Sequence, residues 1–172
     1  MSTRKDNFTQ RDRFFMNLAF NLARDRSGLT GENPSVGCVI VKKDKVISLG
    51  QTGINGRPHA EYNAIKSSKC NLKGSKLYVS LEPCTHYGKT PPCSNFIIKS
   101  KIKEVIFSII DVDKRTKSKS FKVFKDKNIK VKSGLLTNEA NKIYKSYIHN
   151  KNKKITFCYW KVGCIKRQFY IF

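Results

Sequence analysis

The feature that most constrains this chain is a set of four side chains in three short runs: Pro58-His59-Ala60-Glu61, Glu82-Pro83-Cys84 and Pro91-Pro92-Cys93. One imidazole and two thiolates are donors that Zn2+ takes in tetrahedral sites. Three protein ligands leave a fourth position open for water, the arrangement of a catalytic zinc and not a structural one. Glu61, two residues beyond His59, is a carboxylate suited to carry a proton beside that position. The chain must therefore fold so that residues 59, 84 and 93 meet. A lone His-x-Glu or Pro-Cys means little, and a structural zinc site or coincidental core cysteines is the competing reading. Three ligand types in this order, with two Pro-Cys steps, weigh against it.

The periodicities supply a frame for those runs. Thr9 stands three residues before Asp12, a capping box with Asp in place of Glu, and Phe15, Leu18, Ala19, Leu22 and Ala23 follow at helical spacing. This predicts an amphipathic helix over 10–26 whose apolar face covers a sheet. Ser27 to Pro34 reads as a loop, and Pro34 biases Asn33 toward an extended backbone. Asn33 could point its amide into a pocket or be an ordinary turn residue. Val36 to Val41 and Val46 to Gly50, joined by Lys43-Asp44-Lys45, read as a hairpin. A helix is predicted from about the His59 run to 69, a strand over 77–81 and a helix over 93–100. A strand at 104–110, a short helix around 121–124 and an edge strand at 129–131 follow. Thr137 is expected to cap a last helix carrying Ala140, Ile143, Tyr144, Tyr147 and Ile148. Alternating helices and strands predict a three-layer α/β/α sandwich around a mixed five-stranded sheet. Cys84 then falls at a strand end, where such sheets gather ligand chemistry, with Asp111 and Asp113 on the same rim.

Composition bounds the function. The chain has 172 residues, 39% hydrophobic, enough for one core. It lacks an apolar run long enough to span a membrane, and residues 1–10 are too polar for a signal peptide, so a cytoplasmic location is expected. Cys38 and Cys70 are then expected to be buried thiols. The net charge is +23, but 27 lysines stand against 8 arginines. Arginine would be favoured for bidentate phosphate recognition. The balance reads as solvated lysines, the alternating ones at 129–133 blunting a sheet edge, and a nucleic-acid partner is not expected.

Base deaminases pair His-x-Glu with Pro-Cys-x-x-Cys; here the first half matches, but eight residues separate the two cysteines. Three runs account for that difference. Asn33-Pro34-x-Val36-Gly37-Cys38-Val39-Ile40-Val41, Gly56-Arg57-Pro58-His59-Ala60-Glu61 and Leu81-Glu82-Pro83-Cys84-Thr85-His86-Tyr87-Gly88-Lys89-Thr90-Pro91-Pro92-Cys93 closely resemble the riboflavin-biosynthesis pyrimidine deaminase, the deaminase half of a bifunctional deaminase/reductase. The resemblance covers about residues 10–150. It implies a cytidine-deaminase-like fold and hydrolytic deamination of 2,5-diamino-6-ribosylamino-4(3H)-pyrimidinone 5′-phosphate. It also implies a Zn2+ cofactor held by His59, Cys84 and Cys93, with Glu61 as the catalytic proton carrier. Asn33, Lys89 and Asp111 match substrate-holding positions, and Lys89 suits a phosphate. His86 matches a position that could orient a ligand or the loop from behind, or simply pack.

There are departures. Asp111-Val112-Asp113-Lys114 lacks two prolines usual in the family, which is expected to loosen the loop. Ser118 and Ser120 stand where glycines are expected, and Thr52 where some members carry His. The family normally continues into a reductase, so residues 1–150 are expected to form the deaminase domain. Residues 151–172 then read as a tail derived from the start of a missing reductase, whose activity would come from elsewhere. A homo-oligomer is possible. The competing functions are an RNA-directed base deaminase, suggested by the charge, and a decayed zinc-binding domain without activity, suggested by the altered loop.

Overall fold

The structure is a computed structural model and describes residues 8–153. From residue 154 onward, the expected reductase-derived tail lies outside the described residues.

Helix α1 (Gln10–Asp25) opens as expected. Thr9 accepts from the Asp12 N–H at 3.1 Å, while the Asp12 carboxylate accepts from the Thr9 N–H at 2.8 Å. A hairpin follows, β1 (Gly37–Lys42) and β2 (Lys45–Gln51), then a short 3-10 turn at Ile54–Gly56. Helix α2 (Ala60–Ser67), strand β3 (Lys76–Leu81), α3 (Cys93–Lys99), β4 (Glu104–Ile109), α4 (Lys119–Lys125), β5 (Lys130–Ser133) and α5 (Thr137–Lys153) complete the described chain. Thr137, expected to precede α5 as its cap, is its first residue.

The sheet order is β2-β1-β3-β4-β5. β1 runs antiparallel to β2 and β3, while β3, β4 and β5 are parallel, so the sheet is mixed. The parallel part explains the buried runs: Leu77 to Val79 and Val105 to Phe107 are covered on both faces. Helices α1 and α5 lie together on one side, and α2, α3 and α4 form a row on the other. This is the three-layer sandwich that the alternation of elements predicts. Gly50 lets α2 sit directly on β2, since a Cβ there would meet the Ala60 carbonyl oxygen at 2.2 Å.

Two surface expectations change. The alternating lysines of the β5 edge do more than face water. Lys130 and Lys132 reach Glu104 Oε1 at 4.0 and 3.6 Å, and Lys76 reaches Oε2 at 3.8 Å, so they surround a buried carboxylate on β4. Cys38 is buried as expected, but Cys70 is exposed. It follows the end of α2 among Lys69, Asn71 and other polar residues, where no apolar surface arrives to cover it. No helix among the described residues is long and apolar enough to cross a membrane.

Candidate active site

The carboxyl ends of β3 and β4, the start of α2 and the insert between Cys84 and Cys93 enclose a pocket of about 340 Å3. His59 sits just before α2 with an extended backbone, which turns its ring toward the sheet. Cys84 follows β3, and Cys93 begins α3. Three elements from distant parts of the chain thus bring the three side chains together. His59 Nδ1 lies 3.6 Å from Cys84 Sγ and 3.3 Å from Cys93 Sγ, and the candidate donor atoms all lie within 4.8 Å of one another. That spacing suits one small cation with arms of about 2.0 Å to nitrogen and 2.3 Å to sulfur.

Each side chain of the cluster shifts the protonation of the others. Cys93 holds the Cys84 thiol down to about 4, and its N–H donates to Cys84 Sγ at 3.2 Å. The contact with Cys84, together with burial, pushes the Cys93 thiol up. The Cys84 contact also raises His59. One sulfur is therefore a ready thiolate, while Cys93 and His59 would give up their protons on taking a metal. Glu61, on the first turn of α2, is buried, and burial followed by the Cys84 charge raises its carboxyl to about 7. A carboxyl poised there can take and return a proton near neutral pH.

The residues expected at the substrate also line this pocket. Asn33 comes from the loop before β1, where the Thr30 hydroxyl donates to its carbonyl oxygen at 2.8 Å. Gly56, with φ +83°, passes so close that a Cβ would meet Asn33 Nδ2 at 2.2 Å. Lys89 is exposed on the insert, and the next residue is tied down by Arg57 Nη1, which donates to Thr90 Oγ1 at 2.7 Å. Asp111 is buried past the end of β4. Its Oδ1 accepts from the Tyr147 hydroxyl at 2.9 Å and from the Asp113 N–H at 3.0 Å. Burial nevertheless keeps its carboxyl above the usual range. His86 Nδ1 lies 3.1 Å from Thr116 Oγ1, so it joins the insert to the loop after β4. Thr52 is buried and serves the backbone, its Oγ1 accepting from the Val36 N–H at 2.9 Å.

Sequence reasoning missed four participants. Tyr147 was assigned only to the apolar face of α5, yet its hydroxyl reaches the pocket. Arg57 was quoted only as part of a motif, and Thr116 was not singled out. Glu82 was read only as part of a motif, although it is buried at the end of β3 and accepts four hydrogen bonds. An acid that ends a mostly apolar strand is itself a signal, since a buried carboxylate needs donors.

Comparisons with known proteins agree with this geometry. The sequence pattern of the cytidine and deoxycytidylate deaminase zinc-binding region matches residues 9–109. The chain is 41% identical over 138 residues to riboflavin biosynthesis protein RibD of Bacillus amyloliquefaciens, covering 80% of this chain and 37% of that protein. It is 42% identical over 137 residues to the diaminohydroxyphosphoribosylamino-pyrimidine deaminase of Buchnera aphidicola subsp. Schizaphis graminum, covering 80% of this chain and 93% of that one. Among solved structures, RibD of Acinetobacter baumannii superposes with a TM-score of 0.79 at 34% identity, over 84% of this chain and 41% of that one. A Thermotoga maritima diaminohydroxyphosphoribosylaminopyrimidine deaminase/5-amino-6-(5-phosphoribosylamino)uracil reductase gives 0.77 at 38% identity, over 84% and 42%. The chain thus spans about two fifths of the RibD relatives and nearly all of the Buchnera protein.

Proposed function

The chain belongs to the cytidine and deoxycytidylate deaminase family through its zinc-binding region. From that premise we propose that it hydrolytically deaminates 2,5-diamino-6-ribosylamino-4(3H)-pyrimidinone 5′-phosphate in riboflavin biosynthesis. The observation that carries this reading is the meeting of His59, Cys84 and Cys93, with His59, Cys84 and the buried Glu61 lining one pocket. The Buchnera protein named for this deaminase, matched over most of its length, supports the choice of substrate.

His59, Cys84 and Cys93 would hold Zn2+, a borderline-soft ion that suits one imidazole and two thiolates. When bound, it supplies Lewis acidity that makes water a nucleophile at neutral pH. Glu61 takes the proton from that water and returns it to the departing exocyclic amine, so water adds and ammonia leaves with no net change at the carboxyl. A carboxyl near 7 can serve in both directions. Asn33 and Asp111, both lining the pocket, orient the ring and ribose. Lys89, a compact and rotatable charge at the mouth, takes the 5′-phosphate. His86 ties the insert to the loop after β4 by its contact with Thr116.

The test is ammonia release from the ribotide by wild type and Glu61→Ala, with zinc quantified in both. Turnover confined to the wild type, with equal zinc, is expected. Equal zinc with no turnover in either protein would replace this reading with that of a zinc-binding domain without activity.

A further inference from the structure

Asp111, Asp113, Arg115 and Thr116, from the loop between β4 and α4, line the pocket with His59. Among the anchors of that loop, one carboxylate joins its two ends. Glu82 is 3% exposed. Its Oε2 accepts from the N–H groups of Asp111 at 3.1 Å and Ser118 at 3.0 Å. Its Oε1 accepts from Ser120 twice, from the N–H at 3.2 Å and the hydroxyl at 2.6 Å. The donors come from the two ends of the loop, so one side chain fixes both its departure from β4 and its entry into α4. The Glu82 N–H donates to the Ile109 carbonyl oxygen at 3.0 Å, which ties Glu82 to the end of β4. Cys84 is only two residues further along the same strand end.

We propose that Glu82 is a positioning residue for substrate recognition: it sets where Asp111 and Asp113 stand relative to the His59, Cys84 and Cys93 cluster. This rests on the deaminase reading, because it assigns the loop to the ribotide. The role needs both oxygens as acceptors. A glutamine at 82 has one acceptor and one donor, so one of the two donor pairs would face an NH2 group. The loop would then lose either both Ser120 bonds or those of Asp111 and Ser118 together. The Ser120 hydroxyl contributes one of the four bonds and stands where the related pattern has glycine, so this chain carries a tether that a glycine could not supply.

The experiment compares wild type, Glu82→Gln and Ser120→Ala for zinc content, ammonia release from the ribotide and hydrogen exchange at the Ser118 and Ser120 amides. A hydrogen bond to a charged acceptor is worth about a factor of ten or more. Glu82→Gln is therefore expected to raise KM by roughly tenfold or more and kcat by no more than about threefold either way. Zinc content stays equal, and the two amides exchange faster. Ser120→Ala, which keeps the carboxylate, is expected to fall between, at roughly threefold in KM. Faster exchange in Glu82→Gln with KM unchanged would overturn the proposal, since the tether would then be structural alone. So would loss of zinc or of soluble protein in Glu82→Gln accompanied by an unaltered KM in Ser120→Ala. Absence of turnover in the wild type sinks the deaminase reading separately. The positioning claim is then decided by ribotide Kd from calorimetry, where equal Kd in all three proteins, or no binding by the wild type, overturns it.

Discussion

Removing the Tyr147 hydroxyl tests whether the buried Asp111 is held as a carboxylate. In Tyr147→Phe the ring remains against Tyr144, with centroids 6.5 Å apart in the wild type, so packing changes little. The 2.9 Å bond to Asp111 Oδ1 is lost. Burial raises Asp111 in the folded protein, while the Asp113 N–H and the Tyr147 hydroxyl pull it back. A carboxyl with a raised folded value costs stability when ionised. The folded state takes up its proton first as pH falls, and the cost is gone below the unfolded value of about 3.9. Tyr147→Phe raises Asp111 further, so the deficit of the variant is largest at neutral pH. A hydrogen bond to a charged group contributes about 2 kcal/mol, against roughly 1 kcal/mol for a neutral one. The variant should lose about 2 kcal/mol at pH 7.5, or roughly 5 °C in Tm for a chain of this size. As pH falls through the folded value of Asp111, the deficit should shrink toward about 1 kcal/mol. Urea unfolding of both proteins across a pH series reads this difference directly. A deficit that does not change with pH, or that is absent at pH 7.5, would refute the charged-acceptor reasoning.

Two further substitutions probe how the pocket is framed. Ser118 adopts a left-handed backbone, φ +61°, which costs L residues about 1–2 kcal/mol. Ser118→Gly should relieve part of that and stabilise by roughly 0.5–1 kcal/mol after the extra entropy of an unfolded glycine; a loss in urea unfolding would show that the serine side chain contributes contacts of its own. Gly50→Ala places a Cβ 2.2 Å from the Ala60 carbonyl oxygen and 2.4 Å from the Ala64 nitrogen. It should push α2 off the sheet at a cost above about 3 kcal/mol and lower zinc per chain. Full zinc occupancy with wild-type stability would mean that β2 moves and α2 does not.

The meeting of His59, Cys84 and Cys93 and the layer architecture were legible because each rests on a local signal. Strand ends and helix starts are marked by the same prolines that flank Cys84, Cys93 and His59, and the apolar runs distinguish sheet from helix. The partners of the pocket were not legible, because they answer to long-range demands. Tyr147 lies 36 residues from Asp111, and its helical spacing with Tyr144 and Ile148 reads as core. Cys70 was misjudged from residue type, when its polar neighbours describe an exposed bend. A capping threonine and a first-turn threonine look alike in sequence, and position 137 is the latter.

The loop 111–120 shows why a departure from a family pattern does not carry its consequence with it. Loss of two prolines removes a restraint on φ, and from sequence that reads as a looser loop. In the structure, the aspartates take over the restraint. Asp111 Oδ1 accepts from the Asp113 N–H, and Asp113 Oδ1 accepts from the Arg115 N–H, both at 3.0 Å. These are the side-chain turns that aspartate forms two residues ahead of itself. The Asp113 carbonyl oxygen accepts from Thr116 and Lys117, each at 2.9 Å. Two neighbouring acids would repel each other, but Arg115 and Lys151 reach Asp113 Oδ2 at 2.6 and 3.5 Å. The Arg115 contact holds the Asp113 carboxyl well below its usual range. The two lost glycines divide in the same way: Ser118 keeps a backbone that glycine adopts more easily, while Ser120 adds a donor to Glu82. One substitution costs the fold and the other tightens it, and only the hydrogen bonds separate them.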